Sequence, residues 1–163
     1  MANVRTSERQ TVRPSDRQTG SGGGVWGRIV GDDEDQVRRT LAGYCQYLDD
    51  GDFDRWVDLF TDDARLLFGG RTTVGRPAIR SYMEQVQPPE GRGKHITSNI
   101  LVDVGVASAT AHTDYLFVRP TARGLVPIAT GRYHDELVPD GDRWRFRQRE
   151  ITLLGPPAGD AGD

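Results

Sequence analysis

The chain has 163 residues, of which 36% are hydrophobic, with 20 glycines, one cysteine and a formal net charge of −3. This length suits about one domain with a real core, and the charge gives no global attraction to nucleic acid or to anionic membranes. Cys45, being alone, excludes an internal disulfide and fits a reducing compartment.

Residues 1–27 hold only Val4, Val12, Val25 and Trp26 as sizeable apolar groups, so burial cannot offset their ordering entropy and a flexible tail is expected. Arg5, Arg9, Arg13 and Arg17 recur every fourth residue, but Glu8, Pro14 and Asp16 argue for a solvated tail over a basic helix. Gly22, Gly24 and Gly27 fit a dinucleotide-loop spacing without a preceding strand, which marks a linker. Residues 156–163 form a second loose tail, leaving 28–155 as the folded domain. No apolar run approaches the ~20 residues of a membrane span, and the N-terminus lacks the apolar segment of a secretory signal. A soluble cytoplasmic protein is expected. Basic charge is almost all arginine, with Lys94 the only lysine, which fits genome composition.

The first helix is predicted over 32–48. Its early acids suit the positive end of the helix dipole, and Val37, Leu41, Tyr44 and Leu48 share one face. Asp50-Gly51 stops it, and Asp52 caps a short second helix with Phe53, Trp56, Val57 and Phe60 as its apolar stripe. Strands at 65–68 and 71–74 flank Gly69-Gly70 as a hairpin. Pro77 opens a third helix with Ile79, Tyr82, Met83 and Val86 inward. Period-two patterning then predicts strands at 94–104, 106–119, 125–138 and 143–154. The implied architecture is α+β: a cone-shaped, curved antiparallel sheet wrapped around about three N-terminal helices, with a small-molecule pocket at its open end.

Three polar residues stand out. His95 opens the first long strand and, at an unperturbed pKa near ~6.5, such a side chain can accept and donate a proton at neutral pH. Asp49, at the end of the first helix, can fix its tautomer, and the Tyr44 hydroxyl can donate to an oxyanion. Five residues on an ideal helix turn ~140°, so Asp49 must project from a distorted last turn to join Tyr44. Each residue also has a structural reading: a core tyrosine, an acid in a solvated turn, a packed strand histidine. Strand alternation sends Thr97 and Asn99 inward with His95, pairs Thr113 with Tyr115, and pairs Tyr133 with Asp135 as pocket-lining groups. Phe68 ends the first strand nearby. His112 and His134 fall on the opposite parities, exposed or at a subunit interface, and three scattered histidines make a poor metal site. Arg143, Arg145, Arg147 and Arg149 stripe the last strand and read as an ion-paired outer face.

The stretches GYCQYLDDGDFDRWVDLFTDDARL, VGRPAIRSYM, KHITSNILVDV and TGRYHDELVPDGDRWRFRQREI resemble the SnoaL-like members of the nuclear-transport-factor-like superfamily over roughly residues 32–154. That superfamily includes ketosteroid isomerase, scytalone dehydratase, bile-acid dehydratase and small polyketide cyclases. Phe68 stands where the ketosteroid isomerase base would be, so that base is missing. The bile-acid dehydratase pattern fits best: Tyr44, Asp49 and His95 fill its tyrosine, aspartate and histidine. The resemblance implies a cofactor-independent dehydratase, isomerase or cyclase acting on a hydrophobic polycyclic or polyketide-like molecule, in a homodimer formed through the open sheet face. Two rivals stand beside it: an epoxide hydrolase or cyclase on the same scaffold, and a non-catalytic ligand-binding or accessory subunit like the β-subunit of a ring-hydroxylating dioxygenase.

Overall fold

A computed structural model describes residues 30–155; both expected tails lie outside the described residues. Helix α1 spans Val30–Asp50, longer than predicted at each end. Its end is built by Gly51, whose φ of +72° lets the Gly51 N–H donate to Leu48 O at 3.1 Å and the Asp52 N–H to Tyr47 O at 2.8 Å. Asp52 then accepts from the Arg55 N–H at 3.1 Å and caps α2, Phe53–Val57. Strands β1 (Phe60–Phe68) and β2 (Arg71–Val74) form the hairpin, and α3 covers Arg76–Val86. Four long strands follow: β3 (Lys94–Val104), β4 (Ala109–Thr121), β5 (Gly124–Asp140) and β6 (Arg143–Leu153).

The strands make one open six-stranded sheet in the order β2-β1-β6-β5-β4-β3. It is mixed rather than antiparallel throughout, because β1 runs parallel to β6. That pairing also explains why β1 starts at Phe60, earlier than the predicted 65: Phe60 sits in register with Phe146, and the Phe146 N–H donates to Leu59 O at 2.8 Å.

Helix α1 lies on the inner face through its apolar stripe. Val37, Leu41, Tyr44 and Leu48 are all buried as their spacing predicts, and meet Trp56, Phe60, Leu66, Trp144 and Phe146. Fully burying each such side chain contributes roughly 1.5–3 kcal/mol. Polar anchors fix the helix along β6: the Thr40 hydroxyl donates to Trp144 O at 2.7 Å, and Trp144 Nε1–H donates to Asp33 at 2.9 Å. In α3, Ile79 and Met83 are buried, Tyr82 is half-buried, and Val86, expected inward, is exposed at the helix end. No helix among the described residues is long and apolar enough to cross a membrane.

Two irregularities change which residues face inward. In β3 the register with β4 shifts between Ser98 and Leu101, where Asn99 adopts a φ of +50°. In β6, Gln148 pairs with Glu136 but Phe146 pairs with Leu137, so Arg147 is an extra residue. Residues Trp144 and Phe146 face the core before this bulge, and Arg149 and Ile151 after it.

Candidate active site

The last turn of α1 and the first residues of β3 bring Asp49 and His95 together. Strand β3 is an edge, so its outward N–H groups have no strand partner. The Asp49 carboxylate takes one: the His95 N–H donates to Oδ2 at 3.0 Å, while Oδ1 lies 2.6 Å from His95 Nδ1. Both side chains are buried, at 4% and 8% exposure. A carboxylate is an acceptor only, so this contact places the imidazole proton on Nδ1 and leaves Nε2 as a free base. The ring packs on Phe117, with centroids 4.6 Å apart, and at 6.2 Å from Tyr115. Gly93 permits this strand entry, since a Cβ there would collide with the Val118 carbonyl of β4. Lys94 Nζ reaches Asp50 at 3.1 Å and adds positive charge 4.0 Å from Asp49.

Tyr44 belongs to a second cluster. Its buried ring packs on Trp56, Phe60, Tyr133 and Phe146 at centroid distances of 5.4, 6.1, 5.7 and 5.8 Å. Burial pushes the pKa of its hydroxyl up, making it a weaker acid, against the opposing pull of Arg149. No described contact joins Tyr44 to His95. The helix explains this: the ~140° between positions 44 and 49 sends one side chain to the sheet centre and the other to its edge. The two clusters are linked through aromatic rings, since Tyr133 stacks on Tyr115 at 4.4 Å and Tyr115 neighbours His95.

The residue that sequence reasoning misplaced is Arg149. It was expected on the outer arginine stripe; the Arg147 bulge turns it inward, where it is fully buried. Its guanidinium donates to both Asp135 oxygens, Nε at 2.7 Å and Nη2 at 2.6 Å, and lies 3.8 Å from the Tyr44 ring centroid and 4.3 Å from that of Tyr133. Burial lowers an arginine's proton affinity, yet Asp135 and the two tyrosines outweigh it and hold the guanidinium charged. Asp135 is pushed upward by burial against the attraction of Arg149. It is nonetheless the ionised partner at neutral pH, because arginine cannot give up its proton and both carboxylate oxygens accept from it. The other stripe arginines do form an ion-paired outer set: Arg143 and Arg145 meet Asp58, and Arg147 meets Glu136. Counting pairs back from the Asp140–Arg143 turn without a bulge sets Gln148 opposite Asp135. The available signal was the inward aspartate, whose charge demands a cation nearby.

Among the expected lining groups, Thr113, Tyr115, Tyr133 and Asp135 are buried on the inner face, and Thr97 and Phe68 are half-buried. Asn99 is not inward. The β3 bulge exposes it, and its amide donates to Asp114 at 2.9 Å. Three buried polar atoms have no hydrogen-bond partner here, Arg149 Nη1, Thr113 Oγ1 and Trp56 Nε1. The expected pocket at the open end is not among the main clefts. One cleft of about 540 Å³ lies between α1, α2 and β6 near Tyr47 and Trp144, and another of about 400 Å³ lies along Arg132, His134 and Thr152. Neither is lined by His95, Asp49 or Tyr44; around those residues the inner face is filled by aromatic side chains. Among the described residues no three His, Cys, Asp or Glu side chains are grouped to hold a metal ion.

Residues 31–150 match the family model of the SnoaL-like domain. A Mycobacterium tuberculosis protein of unknown function is 27% identical, with a TM-score of 0.71 over 82% of this chain and 80% of that one. A Novosphingobium aromaticivorans NTF2-like protein with a cystatin-like fold is 22% identical, with a TM-score of 0.71 over 79% of this chain and 86% of that one. A second protein of that organism, provisionally assigned as a scytalone dehydratase, is 20% identical, with a TM-score of 0.68 over 78% and 89%. The latter two likenesses speak for the fold. A search of curated proteins finds no match.

Proposed function

The chain belongs to the SnoaL-like domain family, and from that premise we propose that it is a cofactor-independent acid–base enzyme, a dehydratase acting on a hydrophobic β-hydroxy carbonyl compound. The observation that carries the reading is the buried 2.6 Å contact between His95 Nδ1 and Asp49 Oδ1. In this reading His95 Nε2 removes the proton α to the carbonyl, and the electron pair moves onto the carbonyl oxygen as an enolate. The imidazolium, stabilised by Asp49, then protonates the β-hydroxyl as the enolate re-forms the carbonyl and the C–O bond breaks, releasing water. The Arg149 guanidinium, 3.8 Å from the Tyr44 ring centroid, is the positive charge on the inner face that the enolate would draw on, with the Tyr44 hydroxyl as its donor. A polycyclic or polyketide-like substrate would have to displace part of the aromatic packing beside His95, Tyr115 and Phe117 among it, to reach the imidazole. Isomerisation or cyclisation would use the same proton transfers on a substrate without the leaving hydroxyl.

The test is turnover of a panel of β-hydroxy carbonyl compounds by wild type, His95→Ala and Tyr44→Phe, with folding followed by circular dichroism. Loss of ~10²-fold or more in the folded His95→Ala protein supports the reading. Unchanged turnover by His95→Ala rejects it. Tight binding of the panel without turnover turns the assignment to a binding or accessory protein, and solvent oxygen-18 in the product turns it to an epoxide hydrolase.

A further inference from the structure

The outer sheet face carries a pair of side chains that the acid–base chemistry does not use. His112 on β4 and His134 on β5 are register partners in adjacent antiparallel strands, so their side chains stand together. Their Nδ1 atoms are 3.0 Å apart, and their ring planes meet at 77°. The surroundings favour one His134 tautomer. The Thr152 hydroxyl donates to the Arg132 carbonyl at 3.1 Å, which leaves its oxygen free to accept. His134 Nε2 lies 3.4 Å from that oxygen, within reach to donate to it. In that tautomer His134 carries its proton on Nε2 and turns a bare Nδ1 lone pair toward His112. A metal-ligating histidine is arranged in the same way, one nitrogen held by an outer partner and the other unprotonated.

We propose that His112 and His134 form a two-imidazole chelate for a divalent transition-metal ion, bound through both Nδ1 atoms with water in the remaining positions. In the absence of metal, the one proton of a neutral His112 ring sits on Nδ1 and bridges to His134; on binding, Nδ1 gives up that proton and Nε2 takes one from solvent, so the ring changes tautomer with no net proton release. The bite selects the ion. For metal–nitrogen bonds of about 2.1 Å, nitrogens 3.0 Å apart subtend roughly 90°, a cis pair in a square-planar or octahedral shell. A tetrahedral ion would want them about 3.4 Å apart. The pair thus suits Cu²⁺ and Ni²⁺ better than Zn²⁺. Glu150, in register with His134 on the exposed face of β6, adds negative charge beside the site. The chain's other histidine does not compete through Nδ1, which Asp49 occupies.

The experiment is titration of the full chain with Cu²⁺, Ni²⁺ and Zn²⁺ by calorimetry, with electron paramagnetic resonance of the copper form and sizing with and without metal. The expected result is one ion per chain, half-saturation lowest for Cu²⁺ and lower for Ni²⁺ than for Zn²⁺, and copper hyperfine structure from two imidazole nitrogens. His112→Ala and His134→Ala should each abolish that signal, and Thr152→Val should raise half-saturation ~10-fold by releasing the His134 tautomer. Retention of the same copper spectrum in the double alanine variant overturns the site. So does Zn²⁺ binding more tightly than Ni²⁺, or one ion shared by four imidazoles of two chains. Circular dichroism of the exposed-face variants separates loss of binding from loss of fold.

Discussion

Asp49 holds His95 at two points, its ring Nδ1 at 2.6 Å and its backbone N–H at 3.0 Å, so one carboxylate fixes both the tautomer and the strand that carries it. Asp49→Asn preserves volume but turns an acceptor-only group into one with an N–H₂ arm. With the amide NH₂ toward Nδ1 the ring must carry its proton on Nε2 and loses the free base there, and with it toward the backbone N–H two donors meet. The expected outcome is a fall in kcat/KM of ~10²-fold or more on the β-hydroxy carbonyl panel, with the fold retained by circular dichroism. Full activity in Asp49→Asn would remove the carboxylate from the mechanism.

Arg149 and Asp135 form the most deeply buried ion pair in the described structure, and removing one member strands the other. Arg149→Met should cost about 3–5 kcal/mol of unfolding free energy, because it leaves a carboxylate without its cation. Arg149→Met combined with Asp135→Leu should recover most of that loss, since two apolar side chains leave no buried charge. Urea unfolding with unchanged m-values measures both. A double variant no more stable than Arg149→Met would show that packing, and not charge, sets the cost.

The inward faces of α1, β4 and β5 were legible from the chain alone, because Val37, Leu41, Tyr44 and Leu48 and the pairs Thr113/Tyr115 and Tyr133/Asp135 keep an unbroken period. What failed to read out were the places where the period slips. Asn99 looked inward because strict alternation from His95 says so, and a single left-handed residue reverses it. Arg149 looked like the fourth member of an exposed stripe until one extra residue in β6 turned it to face Asp135. The parallel β1–β6 pairing was equally hidden, since it joins segments some eighty residues apart and rests on no local turn signal. Asp49 and His95 came together as the resemblance implied, whereas Tyr44 lies with Arg149 because helix geometry separates it from Asp49.

Asp58 collects Arg143 and Arg145 at 2.9 Å each and Arg76 at 3.9 Å. Desolvation pushes its carboxyl upward, but the hydrogen bond and charge of Arg145, aided by Arg76 and Arg143, prevail and hold it below the ordinary aspartate value. A carboxyl depressed in the folded state contributes stability that is present above its unfolded pKa of ~3.9 and is lost as pH falls through the folded value. With its side chain 43% exposed, screening should keep the contribution below about 1 kcal/mol. The Tm gap between wild type and Asp58→Asn should therefore be positive at pH 6, shrink as the pH falls through the depressed folded value, and narrow with added salt. A gap that persists at the acid end would mean that hydrogen bonding by the neutral group, and not charge, ties β6 to the α2–β1 junction.

Gly51 is the hinge on which the Asp49 position depends, and its substitution ties stability to the site. At φ +72° a Cβ is strained, and one built there also meets the Arg92 guanidinium, which lies across the turn and over the Phe53 ring. Gly51→Ala should cost about 1–2 kcal/mol from the left-handed backbone alone. Asparagine tolerates that conformation, so Gly51→Asn should cost less although it carries the same Cβ. Arg92→Ala added to Gly51→Ala removes the collision without relieving the backbone, and should restore little. Because the Gly51 and Asp52 N–H groups close the turn that carries Asp49, Gly51→Ala should also lower kcat/KM in proportion to fraying of that turn, read by amide hydrogen exchange at residues 49–52. If Arg92→Ala restores stability in full, the collision and not the backbone is the constraint, and Gly51 is required there for space.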